Sequence, residues 1–325
     1  MTAPVLEVYL SDSDATDALH NDVRAGLGAD PKQLPPKWLY DARGSELFEE
    51  ITKLPEYYPT RTERELLRLN AGEIALQANA DTLVELGSGS SEKTRLLLDA
   101  LTEAGSLRRF VPLDVSESAL RPAMAAVAEE YPRLAVHGVV GDFTRHLDLL
   151  PAQEPGHRLV AFLGGTIGNL LPAERAEFFS ALHAVLEPGE QLLLGAGLVI
   201  DPAVLVPAYD DAAGVTAEFN LNVLHMLNRE LGADFVVSAF EHRAVWNPER
   251  EHIEMRLRAR RAMTVRLPAL DMAVEFVEGE EILTEVSGKF RREGLAAELA
   301  ACGFDTGTWW TDPDGRFALV LAAAE

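Results

Sequence analysis

The 325-residue chain predicts an α/β fold: a parallel, doubly wound sheet closed by a C-terminal antiparallel hairpin, together with a second α+β domain. Three observations carry this expectation. Strand and helix patterns alternate over residues 82–198, and the strands are apolar on both faces, as strands covered by helices on each side must be. The C-terminus then switches to two apolar runs joined through Asp312-Pro313-Asp314-Gly315, and Asp-Gly between such runs is a hairpin turn. Residues 1–61 and 201–286 fall outside the alternation, and the second of these segments carries a period-two pattern of its own.

Taken in order, residues 82–86 read as a strand, 94–104 as a helix, 109–115 as a strand and 118–131 as a helix. Strands follow at 134–140 and 157–163, then a helix at 173–186 closed by Pro188-Gly189, and a strand at 191–198. A helix over 290–302 stops at Gly303, and the hairpin strands are 304–310 and 316–323. Within the insertion, residues 254–267 read as one antiparallel strand. Met255, Leu257, Ala259, Met263, Val265 and Leu267 share one face, and Arg256, Arg258, Arg260 and Arg266 share the other, solvated or ion-paired. A parallel sheet with such a hairpin resembles the Rossmann-like methyltransferase fold rather than the NAD-binding one. The expected division is 62–200 with 287–325 as a ligand-binding domain and 1–61 with 201–286 as a substrate domain. Open α/β sheets bind ligands at the C-terminal edge of their parallel strands.

Composition narrows the function. Twenty-nine Lys and Arg against 52 Asp and Glu give a net charge of −23, which repels nucleic acid and anionic membranes. The single cysteine, Cys302, excludes an intrachain disulfide and reads as a packed thiol, and the eight histidines show no metal-ligand spacing, so no metal is expected. Neither a signal peptide nor a run of membrane-spanning length is present, which makes a cytoplasmic protein the expectation, and a monomer is expected with it.

The most informative stretch is residues 84–93, VELGSGSSEK. A strand ends in Glu85, Gly87 and Gly89 make a tight turn, and a helix begins. Glycines let a ligand approach the backbone, and a helix N-terminus favours negative charge. A dinucleotide site would carry a third glycine where this chain has Glu92, a carboxylate in the place of a pyrophosphate. A nucleoside without phosphates fits better, and S-adenosylmethionine is one. Asp114, ending the second strand of the alternation, can accept both ribose hydroxyls. Asp142 can take the adenine amino group with Phe143 beside the ring, and Lys93 can pair with the methionine carboxylate. Each has a plain alternative, a helix cap or a surface lysine, but acids at the ends of three successive strands form a coherent nucleoside site. The fourth strand leads into Gly164-Gly165-Thr166-Ile167-Gly168-Asn169 and not into the Asn/Asp-Pro-Pro-aromatic motif of many DNA and protein-glutamine methyltransferases.

Residues 37–67, KWLYDARGSELFEEITKLPEYYPTRTERELL, carry the run Tyr-Asp-x-x-Gly-Ser-x-Leu-Phe and then Leu-Pro-Glu-Tyr-Tyr-Pro-Thr-Arg. With FLGGTIGNL at 162–170 and TEVSGKF at 284–290, the chain resembles over essentially its whole length the amino-acid Nα-methyltransferases typified by the histidine-specific enzyme of ergothioneine biosynthesis. The resemblance implies trimethylation of the α-amino group of L-histidine to hercynine, with S-adenosylmethionine as methyl donor. It implies that Tyr57, Asn169 and Tyr209 hold the carboxylate and amino end of the substrate, that Glu285 and Ser287 bond the imidazole nitrogens, and that Met255 packs near the ring. It places Tyr40 and Phe48 near the reacting amine, with Asn169 completing the catalytic set. Gly87, Lys93, Asp114, Asp142 and Phe143 would hold S-adenosylmethionine. The N-terminal motif is shared across the broader family, so histidine specificity rests on Glu285, Ser287 and Met255. A methyltransferase for another amino acid or small amine is the nearest alternative. An aminopropyl transferase would leave Lys93 without a carboxylate to meet.

Overall fold

The computed structural model describes residues 4–10, 12–89, 91–150 and 157–325. The chain begins with β1 (Val5–Val8), α1 (Asp12–Leu27), β2 (Lys32–Gln33), α2 (Ala42–Ile51) and α3 (Tyr58–Ala78). It continues with β3 (Thr82–Leu86), α4 (Arg95–Glu103), β4 (Arg109–Asp114), α5 (Glu117–Glu130), β5 (Ala135–Val140), β6 (Arg158–Phe162), α6 (Pro172–Val185) and β7 (Gln191–Gly197). Then come α7 (Pro202–Leu205), α8 (Val215–Leu231), β8 (Phe240–Asn247), β9 (His252–Ala259), β10 (Met263–Leu267), β11 (Met272–Phe276) and β12 (Glu281–Gly288), and finally α9 (Arg292–Ala301), β13 (Phe304–Thr311) and β14 (Phe317–Ala324). These elements form two compact units, Met1–Ser11 with Arg61–Leu198 and Phe290–Glu325, and Asp12–Thr60 with Val199–Lys289.

The first unit is built on an eight-stranded sheet in the order β1-β5-β4-β3-β6-β7-β14-β13. Strands β1 to β7 of this sheet pair in parallel, and β14 runs antiparallel to both β7 and β13. Successive residues point to opposite faces, so each strand feeds two cores. Leu83, Leu159, Ala161 and Leu193 pack with Leu67 and Ile74 of α3, Leu97 of α4 and Leu120 of α5. Their neighbours Val84, Val160, Phe162, Leu192 and Leu194 pack with Phe178 and Phe179 of α6 and Leu295 of α9. Strand order reverses at β3, whose neighbours are β4 and β6. The C-terminal ends of these strands are therefore the topological switch point, where ligands bind in folds of this kind.

The second unit has a four-stranded sheet in the order β2-β12-β9-β8 and a separate β10-β11 hairpin. Its core joins Val23 of α1, Leu47 of α2, Phe219 and Leu227 of α8, and Leu257 and Ile282 of the sheet. The Tyr-Asp-x-x-Gly-Ser motif has a structural reading here. Asp41 caps α2 by accepting from the Gly44 N–H at 2.8 Å, and it also accepts from Asn222 Nδ2 at 2.7 Å. A Cβ on Gly44 would lie 1.7 Å from the Leu39 carbonyl oxygen, so only glycine lets the turn close.

Three expectations need correction. Residues 5–8 do not belong to the second unit; their extended Val-Leu-Glu-Val run finds its backbone partners along β5, from Val5 opposite His137 to Val8 opposite Val140. The boundary expected before Ser287 falls after Lys289, because β12 stays in the second unit's sheet through Gly288. The strand expected over 254–267 is two strands in different sheets. The Ala259 N–H donates to Glu280 O and the Arg260 N–H to Ala239 O, both at 2.8 Å, which carries the β9 ladders to their end, and the chain bends at Arg260 and Arg261 before β10 begins. The arginine face is ion-paired: Arg256 lies between Glu254 and Glu281, and Arg258 and Arg260 approach Glu241 at 3.8 and 3.7 Å. No helix among the described residues is long and apolar enough to cross a membrane.

One ion pair in the first unit makes a stability prediction. Arg158, at the start of β6, bonds Glu190 through Nε at 2.8 Å and Nη2 at 2.5 Å, and the Glu190 side chain is 1% exposed. Removing one partner of a buried pair leaves an uncompensated charge, at a cost of about 3–5 kcal/mol. Arg158→Ala should therefore lower the calorimetric melting temperature by about 10 °C. A change of under about 2 °C would mean that Glu190 is not held as a buried charge.

Candidate active site

In the first unit the glycine turn after β3 is organised by a buried carboxylate. Glu85 accepts from Ser88 Oγ and from Thr94 Oγ1, and Ser88 Oγ lies 2.6 Å from Ser91 Oγ. Burial pushes the Glu85 carboxyl up to about 7, against the opposing effect of those hydroxyls and of Lys93. The turn closes with Gly87 at φ 68° and Gly89 at φ 51°, a region that favours glycine, and a Cβ at either position would meet nothing within 4 Å. That open face is a cradle for a ligand. Ser90, within the same turn, lies outside the described residues.

Asp114 ends β4 beside this turn. Its Oδ2 accepts from the Gly89 N–H at 2.8 Å and its Oδ1 from the Ser116 N–H at 2.9 Å, while burial raises its pKa. It does not cap α5; Ser116 does, accepting from the Ala119 N–H. Each carboxylate oxygen keeps further lone pairs, which is what a pair of ribose hydroxyls requires. Asp142 follows β5, and its Oδ1 accepts from both the N–H and the hydroxyl of Thr144, at 2.8 and 2.6 Å. Phe143 is half-buried, with its ring edge-on to Phe162 at 5.0 Å and to Phe178 at 5.9 Å. Gly87, Asp114, Asp142 and Phe143 thus stand at the C-terminal ends of three adjacent parallel strands, an arrangement that fits a nucleoside.

Lys93, expected as a cation open to a ligand carboxylate, is ion-paired with Glu63 of α3. Glu63 was not singled out from the sequence. It is fully buried, and its other oxygen accepts from the Gly164 N–H at 2.7 Å, which ties the loop after β6 to α3. Its signal was available: Glu63 shares the helical stripe of Leu66, Leu67 and Ile74, an apolar face on which a carboxylate needs a reason. Asn169 is half-buried at the end of the short turn Thr166–Asn169 in this unit.

The remaining candidates belong to the second unit. Glu285 and Ser287 lie on β12, where a bulge between Leu283 and Glu285 sets Glu285 directly opposite Met255 of β9. Bulges re-aim side chains in this way. The extra residue, Thr284, is locked by hydrogen bonds to Asn220 Oδ1 at 2.6 Å and Met255 O at 3.0 Å. Glu285 is buried, its Oε2 has no hydrogen-bond partner among the described residues, and burial pushes its carboxyl up to about 7. Tyr209 Oη lies 2.9 Å from Ser287 Oγ. Tyr40, Phe48 and Tyr57 join Tyr209 in one aromatic cluster, with ring centroids 5.5 Å (Tyr40–Phe48), 6.1 Å (Phe48–Tyr57) and 6.1 Å (Tyr57–Tyr209) apart. Phe219 of α8 completes it at 5.4 Å from Tyr40, a residue the sequence presents only as apolar helix core. Burial holds the phenols of Tyr40, Tyr57 and Tyr209 above their usual range, so all three stay uncharged. Lys289, one alternation beyond Ser287, is also buried here.

The geometry can be set beside known proteins. A model of the family described as histidine-specific, S-adenosylmethionine-dependent methyltransferase matches residues 19–324. The chain is 60% identical over 314 residues to a histidine N-alpha-methyltransferase of Mycolicibacterium smegmatis, covering 97% of each chain. It is 58% identical to a histidine N-alpha-methyltransferase of Mycobacterium tuberculosis, covering 94% of this chain and 95% of that one. Among solved structures, an S-adenosylmethionine-dependent methyltransferase from Clostridium acetobutylicum aligns over 86% of this chain and 98% of its own, with a TM-score of 0.50 at 12% identity, a likeness of fold alone. The cradle at Gly87 and Gly89, the acids at the ends of β4 and β5, and these relatives agree: the chain belongs to the histidine-specific, S-adenosylmethionine-dependent methyltransferases.

Proposed function

We propose that this protein transfers three methyl groups from S-adenosylmethionine to the α-amino group of L-histidine, giving hercynine for ergothioneine biosynthesis. It does so as a cytoplasmic monomer. The observation that carries histidine is the buried Glu285 carboxylate with an unpartnered oxygen on the strand face it shares with Ser287. An imidazole brings an N–H donor and a second ring nitrogen, and Glu285 and Ser287 supply the complementary groups. A pocket built this way rejects side chains that cannot form those bonds, because its own polar groups are then left unpaired.

The roles follow from chemistry. S-adenosylmethionine, when bound, supplies a sulfonium methyl to a nucleophile by in-line displacement. Asp114 holds the ribose, Asp142 and Phe143 the adenine, Gly87 the close backbone approach, and Lys93 the carboxylate end. Tyr57 and Tyr209 take the amino-acid end of the substrate, Met255 packs against the ring, and Asn169 is assigned to the amino end on the resemblance. An attacking amine must be neutral, so the protein's task is orientation and desolvation, and no strong base is required if the proton leaves to water. Tyr40 and Phe48 offer ring faces to a nitrogen that becomes permanently cationic. Their neighbours in the aromatic cluster, with the phenols uncharged, give that cation no anion to pair with. The third methylation removes the last lone pair and ends the reaction.

Mass spectrometry of the protein incubated with S-adenosylmethionine and all proteinogenic amino acids tests the whole reading. Only histidine should gain mass, by three methyl groups; a different methylated amino acid would overturn the histidine assignment. Glu285→Ala should raise the histidine KM by about tenfold or more, as expected for a lost polar bond of ~1–3 kcal/mol. Normal histidine kinetics in that variant would remove Glu285 from the site. Asp114→Ala should weaken S-adenosylmethionine binding in calorimetry by about tenfold, the worth of a charge-assisted bond of ~1.5–3 kcal/mol. Unchanged affinity would remove the ribose assignment.

A further inference from the structure

The Lys289 ammonium is the one group of this cluster to which the reaction as described gives no task. Its Nζ donates to Tyr209 Oη at 2.8 Å and to Ser287 Oγ at 2.7 Å, and it lies 4.9 Å from the centre of the Tyr209 ring. The two hydroxyls are 2.9 Å apart, so one of them donates to the other. With Tyr209 donating to Ser287, one of their two protons is spent inside the cluster, the Ser287 O–H is left to offer towards the ring, and Tyr209 keeps a lone pair for the amino end of the substrate. Lys289 occupies a lone pair on both oxygens, which biases that hydroxyl pair towards donating. On the strand face it shares with Ser287, the Glu285 oxygen without a partner among the described residues is an acceptor in need of an N–H.

Charge gives the same answer. Glu285 and Lys289 sum to zero. Burial pushes the carboxyl up to about 7 and the ammonium down to about 7, each restrained by the other's charge. A proton that passed from one to the other would leave the sum at zero. The phenols on which the Glu285 charge acts, Tyr40, Tyr57 and Tyr209, are all held neutral, first by burial and further by that charge. An imidazolium would bring an unbalanced charge into this pocket and would face the outward O–H with a second N–H. A neutral imidazole satisfies both sides at once.

We propose that Lys289 is a specificity-determining positioning residue: by bonding Tyr209 and Ser287 and balancing Glu285, it makes the pocket select an uncharged ring with one N–H and one bare nitrogen. This rests on the histidine reading above and extends it to the protonation state of the ring. The test is calorimetric titration of L-histidine into the wild type and Lys289→Met at about pH 7.5 and about pH 5.5, either side of the ordinary imidazole pKa of about 6.5. Effects of the substrate's α-amino group are common to both proteins and cancel. Wild-type affinity should fall at least about tenfold at the lower pH, because the neutral ring falls from about nine-tenths to about one-tenth of the total while the Glu285–Lys289 pair takes up protons over the same window. In Lys289→Met that loss should shrink, since no buried cation is left to repel an imidazolium, and affinity at the higher pH should drop several-fold. Glu285→Gln, which leaves Lys289 unbalanced, should steepen the loss; it supplies the answer if Lys289→Met does not fold. The same pH loss in the variants as in the wild type would overturn the role of Lys289 while leaving the histidine reading intact. A wild-type protein that neither binds nor methylates histidine would overturn both.

Discussion

A carboxylate taken out of water must be bonded by its neighbours or must give up its charge, and this constraint shapes both units. In the first, Glu85 is buried at the end of β3, and Ser88 and Thr94 close onto its two oxygens. The turn between them has little freedom left, and Gly87 and Gly89 supply the positive φ it needs. Glu63 does the same one layer away, taking Lys93 and the Gly164 N–H on its two oxygens. Two loops, the turn after β3 and the loop after β6, are thereby set by two buried acids. The cost of burying a charge becomes the means of holding a backbone still.

Glu285 is buried to a similar degree and is treated differently. Its charge is balanced through space by Lys289, and one oxygen has no partner among the described residues. Glu85 is satisfied and acts on its own loop; Glu285 is left short of a bond among the described residues, and a ligand is the proposed partner. A buried polar atom without a partner costs ~1–3 kcal/mol, which a ligand recovers only if it brings the matching group. The bulge at Thr284 is part of the same device. Asn220 and the Met255 carbonyl hold the extra residue, so the Glu285 oxygen cannot swing away to find water.

Much of this was legible in the chain. The parallel strands announce themselves as apolar runs, and the hairpin by Asp-Gly. The acids at strand ends stand out because Asp114 and Asp142 interrupt apolar segments where the chain must turn. The departures are equally physical. Residues 5–8 are too few to declare a partner, and only the open edge of β5 gives them one. The alternation over 254–267 survives a change of sheet because periodicity records which face is apolar and not which strand lies beside it. Glu63 and Phe219 sit on helices, where burial is decided by packing far along the chain. Lys289 continues the alternation of Glu285 and Ser287, yet the intervening Gly288 makes the strand seem to have ended.

The two ends of the proposed substrate then meet opposite demands. In the proposed reading the ring end is read by hydrogen bonds with its charge kept at zero. The amino end becomes a quaternary cation that can form no hydrogen bond at all, so only a surface of negative ring faces holds it without also trapping it. A carboxylate at that end would pair with each ammonium form and keep the amine protonated, which stops methylation. Tyr40, Phe48, Tyr57 and Phe219 provide ring faces, and burial keeps the two phenols among them from ionising. Burial therefore performs opposite services in one cluster: it keeps the phenols beside the proposed nucleophile uncharged, and it leaves on Glu285 an oxygen short of a partner, the group proposed to recognise the ring.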